Sequence, residues 1–254
     1  MPYDLIKRSS KSLGLYPLAR WFDRHVIARH KWRWYCEERA FYARLIGPGD
    51  LVFDVGANNG VKSEVFLALG ARVVAFEPQA DCLQELHARL GGNSRLITIA
   101  AAVGRRRGVV TLHVNPARTA SSCLKDWQGE AEGAIQVPMT TLDDAIAFHG
   151  VPAYCKVDVE GFEPEVLGGL SQRIPLVSFE FHRAKDGDAR TLECLDLLAR
   201  LGEIRVNMTA AETPGFVAPC WLGKEDFLAF FRDHRDEFWY GDVFVRIGVP
   251  GGRS

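Results

Sequence analysis

Charged side chains occupy every second position near the end of an apolar run in the middle of the chain. In the stretch KVDVE, Lys156, Asp158 and Glu160 alternate with valines, so all three share one face if the stretch is a strand. Both faces of a parallel sheet are normally buried, and an unpaired buried charge is costly. The three charges must therefore face a crevice or each other. An ion pair between Lys156 and Asp158 would account for two of them without any chemistry.

A second stretch, SFEFH, repeats the pattern with Ser178, Glu180 and His182 on one face. If this strand lies beside the first, the two sets meet on one rim, because the carboxyl ends of parallel strands share an edge of the sheet. The rim would then carry Asp158, Glu160, Glu180 and His182. Carboxylates and an imidazole exchange protons near neutral pH, although a single histidine at a strand end is more often structural.

The stretch FDVGANNG ends an earlier apolar run on a turn with little side chain. Such a turn lets a ligand approach the backbone, and the helix that follows offers free N–H groups. Gly56, Ala57 and Gly60 are expected to make room, and Asp54 and Asn58 to supply polar contacts. Turns of small residues also occur for packing reasons, so this signal is weak by itself.

An acidic residue at the end of the next apolar run strengthens the signal. Glu77 follows Gly56 by 21 residues, where a carboxylate accepts hydrogen bonds from ribose hydroxyls. A dinucleotide-binding turn would need glycine at the positions of Asn58 and Val61 to approach a pyrophosphate. The pattern therefore favours a nucleoside cofactor without phosphates, of which S-adenosylmethionine is the common one.

The elements that must position these residues alternate along the chain. From residue 51 onward, short β-rich runs alternate with helical patterns, which predicts an α/β fold with a parallel sheet covered on both faces. An added strand at 109–114 and an irregular loop at 115–135 interrupt the rhythm, which resumes with strands at 137–140 and 154–159. We expect one domain over residues 46–248 and a frayed tail over 249–254.

The first 45 residues differ in kind from the rest. Residues 1–44 hold ten Lys or Arg against four Asp or Glu, with aromatic residues at helical spacing. We interpret residues 1–45 as two amphipathic helices that form an N-terminal cap on the sheet domain. A basic face with aromatic anchors also suits peripheral contact with a membrane.

Composition bounds the partners and the compartment. The 254 residues carry a formal net charge of -1, which gives no overall attraction to nucleic acid, so no nucleic-acid partner is expected. The six cysteines include no C-x-x-C pair, and no apolar run approaches the roughly 18 residues of a membrane span. We therefore expect a cytoplasmic protein. Its oligomeric state is not determined at this level.

In order and spacing, these motifs resemble the FkbM family of S-adenosylmethionine-dependent methyltransferases. The resemblance covers roughly residues 50–183 and is carried by VFDVGANNG, VVAFEP, the Ala-Val-Gly step at 102–104, SSCL at 121–124, VPMTTLDD, KVDVEGFEPEVLGG and FEFH. It implies a class I, Rossmann-like fold, with a seven-stranded, mostly parallel sheet whose last strand is antiparallel. It also implies O-methylation of a hydroxyl on a sugar, glycan or natural product.

Carried over by position, the resemblance implies Asp54, Gly56, Asn58 and Gly60 as the cofactor turn, Glu77 as the ribose acceptor, and Asp158 and Glu160 as an acidic motif beside the reacting methyl group. Together with the chemistry of the residues, it gives two sets of site residues. The cofactor set is Asp54, Gly56, Ala57, Asn58, Gly60, Glu77, Ala102 and Asp158, and the catalytic set is His182, Glu160, Asp158 and Lys156. An alcohol loses a proton as it is methylated, so we expect His182 or Glu160 to act as base. Asp158 would orient the acceptor or hold the cationic end of the cofactor, and Lys156 would keep the carboxylates ionised. Alanines at 100–102 replace the polar residue that often contacts the adenine.

Four alternatives stay open. Asp158, Glu180 and His182 offer a set of Mg²⁺ ligands, but no ligand spacing within one element requires a metal, so none is expected. An NAD-dependent oxidoreductase fits Glu77 but not the turn. A non-catalytic module could keep the fold without the chemistry. An RNA methyltransferase fits the basic N-terminus but not the acidic body.

Overall fold

The computed structural model describes residues 28–115, 121–125, 133–183, 187–211, 213–235 and 237–248. The fold is α/β, as the alternation of patterns predicts. Its helices are α1 (Ala28–Tyr42), α2 (Val61–Ala68), α3 (Ala80–Leu90), α4 (Leu142–His149), α5 (Glu163–Leu167), α6 (Gly187–Ala199) and α7 (Lys224–Asp233). Its strands are β1 (Leu51–Val55), β2 (Arg72–Phe76), β3 (Leu96–Ile99), β4 (Ala102–Val103), β5 (Gly108–Val114), β6 (Gly133–Thr140), β7 (Tyr154–Val157), β8 (Leu176–His182), β9 (Ile204–Met208), β10 (Leu222–Gly223) and β11 (Tyr240–Ile247).

The main sheet has the order β10-β9-β11-β8-β7-β1-β2-β3. The pairs from β3 to β8 are parallel, and β11 runs antiparallel to both β8 and β9. The expected seven-stranded, mostly parallel sheet with an antiparallel last strand is confirmed. The eighth strand, β10, adds only two residues at the edge beside β9.

Helices cover both faces of this sheet with separate apolar cores. Buried side chains of α4 to α7, among them Ile146, Leu167 and Phe227, pack against one face. Buried side chains of α1, α2 and α3, among them Tyr42 and Leu86, pack against the other. Because neighbouring residues on a strand point to opposite faces, Asp54, Lys156 and Ser178 lie in register on the face that α1 to α3 cover.

The strand at β6 does not rejoin the main sheet. It pairs with β5 along its length in antiparallel register and with β4 in parallel, which makes a separate three-stranded sheet. Most of β6 is exposed, unlike the buried strands of the main sheet. The expectation of simple alternation through residues 137–159 is wrong here, because periodicity identifies a strand but not the partner that its edge meets.

Helix α1 is the described part of the predicted N-terminal cap. Its Phe41 and Tyr42 are buried against Phe244 of β11 at ring-centroid distances of 5.5 and 6.4 Å. Its Glu38 pairs with Lys62 of α2 at 2.5 Å. The first predicted helix of the cap and the tail 249–254 lie outside the described residues. Among the described helices, none is long and apolar enough to cross a membrane. The cytoplasmic location and a membrane-contacting cap stay predictions.

Replacement of Gly56 tests the close approach between β1 and β7. Gly56 and Gly49 have almost equal positive φ angles, 82° and 86°. A Cβ at Gly56 would lie 1.8 Å from the carbonyl oxygen of Asp158, whereas a Cβ at Gly49 would have no atom within 4 Å. We expect Gly49→Ala to cost about 1 kcal/mol through backbone strain alone. Gly56→Ala should cost more than about 3 kcal/mol, because backbone must also move. Chemical denaturation measures both, and equal losses would contradict the close approach.

Candidate functional site

A cavity of about 770 Å³ opens at the carboxyl ends of β1, β2, β7 and β8. This is the edge at which parallel α/β sheets bind ligands. Its walls come from the turn after β1, the ends of β2, β7 and β8, the start of β11, and helix α1. Polar, aromatic and small residues line these walls, among them Trp34, Glu38, Asp54, Gly56, Ala57, Asn58, Lys62, Glu77, Gln79, Ala102, Ser121, Cys123, Lys156, Asp158, Glu160, Glu180, Tyr240 and Asp242.

The turn after β1 brings backbone and one buried carboxyl to the cavity. Asp54 is 1% exposed, and its Oδ2 accepts a hydrogen bond from Ser63 Oγ at 2.6 Å. Its Oδ1 is buried and has no hydrogen-bond partner in the described part of the chain. Burial raises the pKa of this carboxyl, more than Lys156 lowers it. An unpaired buried acceptor on a cavity wall is costly unless a ligand donates to it.

Glu77 is buried at the end of β2, with both carboxylate oxygens on backbone groups. Its Oε2 accepts from the N–H of Asn58 at 2.9 Å, and its Oε1 accepts from the N–H of Gln79 at 2.8 Å. The side chain of Gln79 makes a third hydrogen bond to this carboxylate, and a carboxylate has about four acceptor positions, so one remains for a further donor. Burial raises the pKa of Glu77, against these hydrogen bonds. Glu77 therefore fixes the turn at Asn58, whose φ is 49°, while it faces the cavity.

Lys156 gathers carboxylates from three strands. It is 2% exposed, and its Nζ donates to Asp158 Oδ2 at 2.6 Å. Burial opposes its charge, but Asp158, Asp242 and Asp54 together raise the pKa of Lys156 well above its usual value. Burial likewise opposes ionisation of Asp158, and Lys156 outweighs it, so the pKa of Asp158 is lowered. The pair keeps a carboxylate ionised at the cavity wall.

Glu180 and His182 lie on β8, next to the carboxylates around Lys156, and with Asp158 they form a row of ionisable side chains. Glu180 lies opposite Asp242 in the register of β8 and β11. Burial, followed by repulsion from Asp158 and other carboxyls, raises the pKa of Glu180 well above its usual value. Its Oε2 lies 3.0 Å from His182 Nε2. Burial lowers the pKa of His182, and its ring stacks on Tyr240 at 5.9 Å. Burial thus favours the neutral form of both side chains.

Glu160 lies in the loop of residues 158–162, called the acid loop from here on. Its φ is 55°, in the left-handed region that a residue with a Cβ rarely adopts. Glu163, the first residue of α5, fixes the loop, since its Oε1 accepts from the N–H groups of Val159 and Gly161, both at 3.1 Å. Arg190 of α6 donates to the carbonyl of Gly161 at 2.8 Å. These contacts hold the loop in a conformation that its own residues disfavour.

The structure brings most of the expected site residues to the one cavity. Gly60 and His182 are the exceptions. Gly60 caps α2 with its backbone close to Leu86, where a Cβ would lie 2.9 Å from the side chain. His182 lies behind Glu180 and Tyr240, which line the cavity in its place. The nine expected residues on the wall are Asp54, Gly56, Ala57, Asn58, Glu77, Ala102, Lys156, Asp158 and Glu160.

Several wall residues escaped the sequence patterns. Asp242 is a carboxylate two residues into the mostly apolar strand β11, which was a usable signal. Trp34 and Glu38 belong to a helix whose docking site is set only by tertiary packing. The ammonium of Lys62 lies 5.1 Å above the ring of Trp34, and no spacing in the sequence connects these two residues.

A family model described as the methyltransferase FkbM domain matches residues 54–211, more than half of the chain. The chain belongs to the FkbM methyltransferase family. The cavity, the glycine turn and the acid loop all lie largely within the matched residues. This FkbM protein is thus an S-adenosylmethionine-dependent methyltransferase with a class I, Rossmann-like fold. No curated protein sequence matches the chain.

The chain is similar to several solved structures at low sequence identity. The chain is similar to precorrin-6y C5,15-methyltransferase from Geobacter metallireducens, with 9% identity, a TM-score of 0.45, and 83% of this chain and 87% of the other covered. It is similar to Aeropyrum pernix fibrillarin with bound S-adenosyl-L-methionine, with 8% identity, TM-score 0.45 and coverage of 84% and 76%. A third is an S-adenosylmethionine-dependent O-methyltransferase from Thermotoga maritima, with 11% identity, TM-score 0.42 and coverage of 85% and 67%. The family match and the strand order, not these scores, carry the assignment.

The residues around the turn fit S-adenosylmethionine. Glu77 lines the cavity and keeps an acceptor site for a ribose hydroxyl. Asp54 has a buried acceptor atom that an ammonium group would satisfy. The missing side chain at Gly56 lets the turn pack against the backbone of Asp158, so the turn and Asp158 line the same cavity. Such donors and acceptors suit a cofactor that carries a ribose and an amino acid but no phosphate.

Glu163 gives a pH-dependent test of the acid loop. Burial raises its pKa to about 7 from an ordinary 4.5. A raised pKa in the folded state means that this group's contribution to stability is complete below pH 4.5 and is lost as the pH rises toward 7. The free energy of unfolding of the wild type should therefore fall with rising pH, and Glu163→Gln should make that decrease smaller by up to about 1.4 kcal/mol per pH unit. The measurement is the free energy of unfolding in urea between pH 4.5 and 8. Parallel curves for the two proteins would contradict a buried, protonated Glu163.

Proposed function

We propose that the protein transfers the methyl group of S-adenosylmethionine to a hydroxyl on a sugar, glycan or natural product. The observation that carries the proposal is the row of Asp158, Glu180 and His182 beside the cofactor turn. Methylation of an alcohol releases a proton, and the row combines an ionised carboxylate with a neutral imidazole that can accept it. An acceptor atom that carries no proton, or that is more nucleophilic than an alcohol oxygen, would not need a base in such a row.

The side chains of the row divide the work of the reaction. When bound, S-adenosylmethionine supplies an electrophilic methyl group on a sulfonium. Asp158 is fixed by Lys156 and orients the acceptor hydroxyl. The proton of that hydroxyl passes to His182 through the carboxyl of Glu180, whose Oε2 lies 3.0 Å from His182 Nε2. Glu160 lines the same wall and is the alternative base.

The part of the wall formed by α1, α2 and the start of β11 has the composition of a carbohydrate site. Trp34 and Tyr240 present aromatic rings, and Glu38, Lys62 and Asp242 present polar groups. Aromatic faces pack against the C–H groups of sugar rings, while charged groups hydrogen bond to ring hydroxyls. We assign this part of the wall to the acceptor, because none of these residues belongs to the set expected to bind the cofactor.

Ligand binding separates the methyltransferase from the oxidoreductase alternative. S-adenosylmethionine should raise the melting temperature of the protein, and NAD should leave it unchanged. Glu77→Ala should weaken S-adenosylmethionine binding roughly 10- to 100-fold, because the ribose hydrogen bond and the Asn58 contact are lost together. Isothermal titration calorimetry measures the dissociation constant, with Glu85→Ala on exposed α3 surface as control. Unchanged affinity in Glu77→Ala would remove the assigned role.

The pH profile tests His182 as the final proton acceptor. Burial lowers the pKa of His182 below 6.5, so kcat should fall only as the pH drops below that value and the imidazole becomes charged. His182→Gln should lower kcat roughly 10- to 100-fold and abolish this acid limb. The assay measures the S-adenosylhomocysteine formed from S-adenosylmethionine with a panel of methyl glycosides as acceptors. If the limb survives in His182→Gln but disappears in Glu160→Gln, Glu160 is the base.

A metal-assisted form of the same reaction has one observation in its favour. Glu160, Glu180 and His182 each offer one ligand atom, and the three atoms lie within 4.8 Å of one another. A divalent cation there would polarise the acceptor hydroxyl. We propose the metal-free form, because burial and neighbouring carboxyls raise the pKa of Glu180, whereas a metal ligand must be deprotonated. Full activity after dialysis against excess chelator is the expected result, and activity restored only by Mg²⁺ or Mn²⁺ would reverse the choice.

A further inference from the structure

Residues 121–125, called the bridge segment, lie at the rim of the cavity. The segment carries the SSCL motif, to which the proposed reaction gives no role. Its Ser122 pairs with His113 of β5 through two backbone hydrogen bonds of 2.8 and 3.1 Å. Ser121 and Cys123 line the cavity. The bridge segment therefore connects the second sheet to the site.

Ser121 contacts the cofactor side of the cavity. Its Oγ donates to Oε1 of Gln79 at 3.2 Å, and the backbone N–H of Gln79 donates to Glu77 at 2.8 Å. The hydroxyl of Ser121 also accepts from the N–H of Asn115 at 3.1 Å. Ser121 is thus one residue away from the carboxylate that we assign to the ribose.

Ser122 contacts the opposite side, where the acid loop lies. The residue is 2% exposed, and its Oγ donates to the backbone carbonyl of Glu160 at 2.6 Å. The same hydroxyl accepts from the N–H of Leu124 at 3.0 Å. With donor and acceptor both engaged, the hydroxyl has one orientation. The carbonyl that it holds belongs to the residue in the left-handed conformation.

The contact from Ser122 differs from the other contacts that hold the acid loop. Glu163 and Arg190 belong to α5 and α6, and neither residue lines the cavity. Ser122 belongs to a segment whose neighbouring residues, Ser121 and Cys123, line the cavity. A shift of the bridge segment would consequently move the two ends of the site together.

We propose that Ser122 is a positioning residue that sets the placement of Glu160 and links the acid loop to the cofactor wall through Ser121. The inference rests on the proposed function, since it gives the linked loop a part in methyl transfer. Ser122 touches neither substrate nor cofactor, and its effect passes through the acid loop. The SSCL motif then holds the acid loop and the cofactor wall in a fixed position relative to each other.

Kinetics give the first test, with the methyl glycoside that proves active as acceptor. Ser122→Ala should lower kcat roughly 3- to 20-fold, the effect of one lost hydrogen bond, and leave KM for S-adenosylmethionine within twofold. Ser122→Thr keeps the hydroxyl and should restore kcat. In a Glu160→Gln background, Ser122→Ala should cause no further loss, because both changes act through one residue. Equal losses in both backgrounds, or no loss in either, would overturn the proposal.

Hydrogen exchange gives a second test that needs no acceptor. In the complex with S-adenosylhomocysteine, the amides of Val159 and Gly161 should exchange at least tenfold faster in Ser122→Ala than in the wild type or in Ser122→Thr. Exposed Ser171 supplies the matched control, Ser171→Ala, which should behave as the wild type. Unchanged exchange in the acid loop, or faster exchange throughout the molecule, would refute a local positioning role.

The two tests separate this inference from the function on which it rests. A wild-type protein that binds S-adenosylhomocysteine but methylates no hydroxyl compound refutes the O-methylation proposal, and exchange alone then decides whether Ser122 positions the loop. An active wild type with an unaffected Ser122→Ala variant refutes only the role of Ser122.

Discussion

One buried ammonium group allows three strands to place carboxylates on the same cavity wall. Lys156 projects from β7 between Asp54 of β1 and Asp242 of β11, and it donates to Asp158 at the end of its own strand. Several carboxyls so close together would otherwise take up protons, because burial and mutual repulsion both disfavour their charge. The cluster keeps Asp158 ionised and leaves its neighbours with raised pKa values.

The same electrostatic arrangement divides the cavity wall into regions with different protonation states. Lys156 lowers the pKa of Asp158 directly, whereas burial and other carboxyls raise the pKa of Glu180. His182 is one step further from the ammonium and stays neutral through burial. Carboxyls of the same chemical type thus take different roles because their distances from one cation differ.

The precision of the site depends on loops that are held from several directions. The acid loop takes an unfavourable backbone conformation at Glu160, and side chains from α5, α6 and the bridge segment each bond to its backbone. The turn after β1 is fixed similarly, since Glu77 bonds to the N–H of Asn58. Gly56 permits the two loops to touch, because any Cβ there would collide with the carbonyl of Asp158.

The sequence by itself determined the class of fold, the glycine turn, Glu77 and the row of acids with His182. These features depend on local periodicity and on the types of residue at the ends of strands, which are properties of short stretches. Tertiary structure alone decided that β6 joins a second sheet, that Trp34 and Asp242 reach the cavity, and that His182 lies behind Glu180. It also decided which carboxyls have a raised pKa and which a lowered one. Strand pairing, helix docking and pKa values all depend on neighbours distant in the chain, and no pattern of spacing records which of them will meet.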